Sequence, residues 1–125
     1  MNDNYETRNA ILSDMGFKSY AAYLRSDLWR AIRTRHLQGK CRLCELKMAN
    51  TLHHTSYTAE IMQSGCRKHL VPLCRPCHMV LEFSGFNEKG DLEKANWRLE
   101  RALAMPLKKR KMYLKDKKKQ MQTFK

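Results

Sequence analysis

Two pairs of cysteines have the residue type and spacing of metal ligands. Cys41-x2-Cys44 and Cys74-x2-Cys77 are separated by 29 residues, 45 to 73. A tight turn in each pair can wrap two thiolates onto one ion, and two such pairs make a tetrahedral four-thiolate zinc site. The separation is longer than in the simplest zinc ribbons and leaves room for a two-stranded unit between the pairs. A redox pair of the thioredoxin type fits less well, because there are two pairs and no βαβ pattern around them. The fifth cysteine, Cys66, sits beside Gly65 and is read as a free thiol without a role.

The histidines pose a second chemical question. A zinc ion with four thiolates is already full, so His78, directly after Cys77, is not needed there. If Cys77 and His78 begin a helix, their side chains point about 100° apart. His78 then shares a face with Glu82, four residues on. His53 and His54 are also adjacent, in "TLHHTSY". In a strand they point to opposite sides, which suits one ligand and one free imidazole better than two equivalent ligands. Taken singly, each histidine is compatible with a plain surface role. Bracketed together by the cysteine pairs, they point to a second site.

The elements that must position these groups can be read coarsely. Residues 1–18 are polar and mixed, and read as a loosely attached arm. Tyr20, Leu24, Leu28 and Ile32 recur at helical spacing, with Ser19 and Ser26 both available as N-caps, so one helix or two short ones are expected. Trp29 and the tyrosines read as core, and Gly39 as a stop. "CRLCELKMANTLHHTSYT" reads as a cysteine knuckle running into a short strand. "HLVPLCRPCHMVLEF" reads as a second strand, a knuckle and the start of a helix. Glu60 to Lys68 read as a loop between the strands, and "FSGFNEKGD" as a turn-rich end to the compact part. Asp91 can cap a helix to about Met105, with Leu92, Leu99 and Leu103 on one side and Pro106 breaking it. A strongly basic tail follows.

The whole chain has 125 residues and a net charge of +13, from 25 Lys and Arg against 12 Asp and Glu. That balance favours a polyanionic partner, with nucleic acid first and an acidic membrane second. No stretch is long enough to span a membrane and no signal peptide is visible at the start, so a cytoplasmic location is expected (the host cytoplasm for a phage-encoded chain). The cysteines are then thiols or metal thiolates rather than disulfides. With 42% apolar residues the core is modest, and a metal staple suits a core of that size.

Taken together, "CRLC…LHHTSY…HLVPLCRPCH" resembles, in order and spacing, the HNH endonuclease family and its four-cysteine, zinc-containing branch. "YLRSDLWRAIR" upstream resembles the helix that often precedes that motif, and the match covers residues 19–83. The resemblance implies an α+β chain: a small ββα-metal core stapled by a four-cysteine zinc site, with flanking N- and C-terminal helices. The divisions expected are residues 1–18 as an arm, 19–90 as the nuclease domain with its preceding helix, and 91–125 as a C-terminal helix and basic tail. By position, His54 matches the family's general base, while His53 and His78 match ligands of a catalytic divalent ion. Glu82 stands where some relatives supply a further ligand. Cys41, Cys44, Cys74 and Cys77 match the structural zinc ligands. The family's central Asn would fall at His69, which departs from the pattern yet keeps a hydrogen-bond donor and acceptor.

The resemblance implies metal-dependent hydrolysis of DNA phosphodiester bonds, by nicking or double-strand cleavage. His54 would take a proton from water, and Mg²⁺ or another divalent ion would stabilise the phosphate charge. An ordinary histidine pKa of about 6.5 would make activity fall below about pH 6. Arg33, Arg35, Arg42, Arg67, Lys68 and Arg75 are expected to hold DNA. The tail run Lys108, Lys109, Arg110, Lys111 and Lys117 to Lys119 would contact phosphate without reading sequence. Such a site acts on one strand, so double-strand cleavage would call for a homodimer or a partner protein. The alternative is a non-catalytic, zinc-stapled DNA-binding module on a degenerate fold. His53, His54 and His78 together favour the enzyme, and His69 favours the module.

Overall fold

Three serine and threonine caps set out the N-terminal half. The computed structural model describes residues 5–83 and 92–123. Helix α1 spans Tyr5–Asp14, α2 Tyr20–Leu24 and α3 Asp27–His36. Ser19 Oγ accepts from the Ala22 amide at 3.0 Å, and Ser26 Oγ accepts from the Trp29 amide at 3.1 Å, so the two expected caps open two separate helices. Restarting at Ser26 breaks the single four-residue row. Ile32 is buried, Tyr20 and Leu28 are half-buried, and Leu24 is exposed, while Tyr23 and Trp29 carry the core contacts.

The loose arm expected over residues 1–18 is instead, from Tyr5 onward, a packed element. Leu12 is fully buried, and Arg8 is buried with its guanidinium 3.9 Å from the Tyr20 ring centre and 4.7 Å from that of Tyr5. A cation held over aromatic faces replaces the apolar stripe that would have betrayed the helix in the sequence.

Strands β1, Thr51–His54, and β2, Leu70–Leu73, form a two-stranded antiparallel sheet in which His53 pairs with Val71 and His54 with Leu70. The connection is not the plain loop expected over Glu60 to Lys68. Thr58 caps a six-residue helix, α4 (Ala59–Ser64), and one 3₁₀ turn follows at Arg67–His69. Gly65 ends α4 at φ 77° and ψ 159°, a conformation open essentially only to glycine.

Helix α5, Arg75–Glu82, starts directly from the second cysteine pair, with Pro76 in its first turn where no amide donor is required. Helix α6 covers Leu92–Leu103 and α7 Leu107–Thr123, with Pro106 between them. The turn-rich stretch 84–90 and the expected cap Asp91 lie outside the described residues. The basic tail is therefore helical through Thr123 and anchored by Leu114, which is buried.

The architecture is a small α+β chain with two cores, one on each face of the hairpin. Leu73, Val71, the four paired cysteines and residues of α5, α6 and α7 make one. Leu52 and Leu70 join Leu12, Tyr23, Trp29, Ile32, Tyr57 and Met62 in the other. The period-2 alternation of the strands feeds both. Among the described residues, no helix is long and apolar enough to cross a membrane.

Candidate functional site

Cys41, Cys44, Cys74 and Cys77 are all buried, and their sulfurs lie within 4.8 Å of one another. The Cys44 and Cys74 sulfurs are 3.9 Å apart. A tetrahedron with metal–sulfur bonds of about 2.3 Å has edges of about 3.8 Å, so the cluster could hold a metal such as zinc. The first knuckle is tied to the second through β2. The Arg42 amide donates to the Pro72 carbonyl and the Asn50 amide to the Leu73 carbonyl, both at 3.0 Å. Crowding of the sulfurs has an electrostatic consequence. The Cys41 thiol is held low by a hydrogen bond from Cys77, which is pushed up by the same bond. Cys74 is pushed up by burial, and a cation among the sulfurs would favour their thiolate forms.

Arg110 was expected to contact DNA. It is buried instead, and its guanidinium donates to the carbonyls of Ala102 (3.0 Å), Leu43 (3.1 Å) and Met105 (3.1 Å). Its Nη1 also meets Glu45 Oε2 at 3.2 Å. Arg110 thus ties the first knuckle to the α6–α7 corner.

His53, His78 and Glu82 form a second convergent group, with ligand atoms within 4.8 Å of one another. Glu82 Oε1 lies 3.2 Å from His78 Nε2 and 3.8 Å from His53 Nδ1. The one-turn spacing of His78 and Glu82 on α5 and the strand position of His53 bring them together. Two imidazoles and a carboxylate are a donor set that suits a divalent ion, and His78 and Glu82 are only partly buried. His78 is turned away from the cysteine cluster, as the helical start at Cys74 requires. Two residues outside the motif hold this group. Tyr5 of α1 donates its hydroxyl to Glu82 Oε2 at 3.1 Å. Asn96 of α6 bridges His53 Nε2 (2.9 Å) and the Thr55 carbonyl (2.7 Å). Asn96 was missed in the sequence, although it is the polar member of the row Leu92, Asn96, Leu99, Leu103.

His54 points to the opposite face. Its ring stacks between Trp29 and Tyr57, at 5.3 and 5.2 Å between centres. Its Nε2 is buried and has no hydrogen-bond partner among the described residues. Burial, then the neighbouring His53, His78 and Arg8, push its pKa down to about 3, well below the ordinary value assumed in reading the sequence. His53 is also lowered, by burial, with its bond to Asn96 acting in the other direction. At His69, Nδ1 lies 2.8 Å from Thr55 Oγ1 and the backbone carbonyl accepts from the Thr55 amide at 3.0 Å, so this residue does pin the end of β1.

Of the expected DNA contacts, Arg35, Arg42, Arg67 and Lys68 line one groove of about 950 Å³. Lys40, His36 and His69 join them, β2 and α6 complete the walls, and Glu100 is the single acid among the lining residues. Arg35 donates to the Ser64 carbonyl at 3.0 Å, which steadies its guanidinium at the rim. Burial, together with Arg35 and Arg67, lowers the pKa of His36. Thr55 and Asn96 stand where the groove meets His53. Arg33, exposed and bonded to the Asn50 carbonyl at 2.9 Å, and Arg75, also exposed, lie outside the groove. Lys108, Lys109 and Lys119 are exposed on α7, while Lys111, Lys117 and Lys118 are half-buried.

No known family model matches the chain, and no curated protein or solved structure matches it.

Proposed function

We propose that the chain is a metal-dependent endonuclease of the HNH type, with zinc on its four cysteines and a divalent ion such as Mg²⁺ at His53, His78 and Glu82. The observation that carries this reading is the convergence of those three side chains, from one strand and one helix, beside a zinc-type cluster at the start of the same helix. Four thiolates suit zinc, whereas a mixed nitrogen and oxygen set suits a divalent ion that works on phosphate. When bound, that ion neutralises charge on the phosphate and the leaving oxygen. The chain's own residues do the remaining work. The groove cations hold a nucleic-acid backbone, and Tyr5 orients the carboxylate of Glu82. His54 is the general base that the family resemblance assigns. Its low pKa keeps it neutral, and accepting a proton from water requires solvent to reach its buried Nε2.

The burial of His54 favours a second reading, a zinc-stapled module that binds DNA without cutting it. Supercoiled plasmid incubated with the zinc-loaded protein and Mg²⁺ or Mn²⁺ separates the two. The enzyme nicks the plasmid, and both His54→Ala and His78→Ala lose nicking while keeping zinc. Binding without cleavage under either metal selects the module, and nicking that survives His54→Ala removes that residue as the base.

A further inference from the structure

The amide of Asn96 has only one orientation that satisfies both of its partners. The Thr55 carbonyl can only accept, so Nδ2 of Asn96 faces it at 2.7 Å and donates. Oδ1 then faces His53 Nε2 at 2.9 Å, and an amide oxygen also only accepts. His53 Nε2 must therefore carry the hydrogen. In the neutral ring this leaves Nδ1 as a bare lone pair. That lone pair faces Glu82 Oε1 at 3.8 Å, on the side where His78 also converges. Two electron-rich atoms facing one another are stabilised by a cation, and His53 in this tautomer has no hydrogen to offer the carboxylate.

We infer that Asn96 is a positioning residue for the cation site: it sets His53 as the Nε2–H tautomer and so presents Nδ1 to the ion. The inference rests on the proposed divalent site. Asn96 lies on α6, outside the stretch that carries the family resemblance, and the same amide fixes the Thr55 carbonyl at the exit of β1. His69 holds Thr55 from the other side through its own carbonyl and ring, so the residue after the two histidines is clamped twice. Partners in this position typically change metal affinity by about 10–100-fold when removed.

Full-length, zinc-loaded protein with ¹⁵N-labelled histidine tests this by long-range ¹H–¹⁵N correlation, without a second metal. The parent protein is expected to show His53 as a single Nε2–H tautomer. Asn96→Leu is expected to lose that preference and to bind Mn²⁺ about 10–100-fold more weakly by water-proton relaxation, with its zinc content unchanged. Asn96→Asp keeps an acceptor toward His53 and is expected to keep the tautomer. It carries the test should the leucine variant fail to fold, because an Nδ1–H tautomer in the aspartate variant overturns the assignment. An Nδ1–H tautomer in the parent protein overturns it too, as does a leucine variant with tautomer and affinity unchanged. A parent protein that shows the expected tautomer yet binds no Mn²⁺, or binds it equally well after His78→Ala, overturns the cation site itself.

Discussion

Arg110 is a cation that binds its own chain. Three backbone carbonyls and Glu45 receive its donors, and the side chain is buried between the first cysteine knuckle and the α6–α7 corner. Arg110→Met is therefore expected to cost about 1–3 kcal/mol in urea unfolding, the usual penalty for stranded buried acceptors, while leaving nucleic-acid affinity unchanged. Loss of affinity at constant stability would return Arg110 to the binding surface. His54 makes a pH prediction. Its folded pKa is about 3, against about 6.5 when unfolded. Above about pH 6.5 both states hold it neutral, and its burial carries no proton penalty. As pH falls from there toward about 3, the unfolded chain takes a proton that the folded chain refuses, and stability declines by about 1.4 kcal/mol per pH unit. His54→Phe is expected to flatten that decline by about one proton when urea unfolding is compared at pH 7 and pH 5. Equal slopes in the two proteins would mean that His54 is protonated in the folded state.

At the scale of elements, α4 depends on the glycine that ends it. A Cβ at Gly65 would lie 2.9 Å from both Ile32 Cγ2 and His36 Nε2, in a backbone conformation that L-residues avoid. Gly65→Ala is expected to destabilise the protein by about 1–3 kcal/mol and lower its melting temperature, with zinc content unchanged. The cysteine cluster joins three elements: the first knuckle, the end of β2 and the first turn of α5. With zinc bound there as proposed, a strong chelator is expected to remove on the order of 10 kcal/mol and to unfold the chain, read as loss of helical circular dichroism. A helical signal that survives a verified loss of metal would show that the core stands without the cluster. The fate of α7 also changes how the basic tail can be tested. Deleting residues 107–125 takes the buried Leu114 and Arg110 away, so weakened nucleic-acid binding by such a truncation would report unfolding as much as the loss of its lysines.

For the whole molecule, the net charge of +13 is not spread evenly in its use. Part of it is buried as Arg8 and Arg110, part lines the groove, and part coats α7. Arg35→Glu with Arg67→Glu is expected to weaken nucleic-acid binding and to lower its log–log salt slope by about 0.9 for each phosphate no longer neutralised. Lys109→Glu with Lys115→Glu, the same charge change on α7, is expected to do less in the same filter-binding or anisotropy titration. Equal effects would mean that net charge alone governs binding. Much of this organisation was legible in the sequence because it is local. The cysteine spacing, the two serine caps and the opposite faces of His53 and His54 follow from turn and strand periods of a few residues. What escaped the sequence depends on partners far along the chain. Arg8 hides α1 by standing on tyrosines, Asn96 gains its meaning from Thr55 and His53, and Arg110 from carbonyls that only the fold assembles.

The bond from Tyr5 to Glu82 joins residues 77 positions apart, and it places the start of α1 against the last turn of α5. Handling of the protein in the laboratory inherits that closeness. A tag or fusion partner joined just ahead of Tyr5 would crowd the carboxylate and compete for its hydrogen bond, and a polyhistidine tag there would bring foreign imidazoles to the proposed ion site. Tags on protein meant for activity or metal titration are better placed beyond Thr123, at the far end of α7.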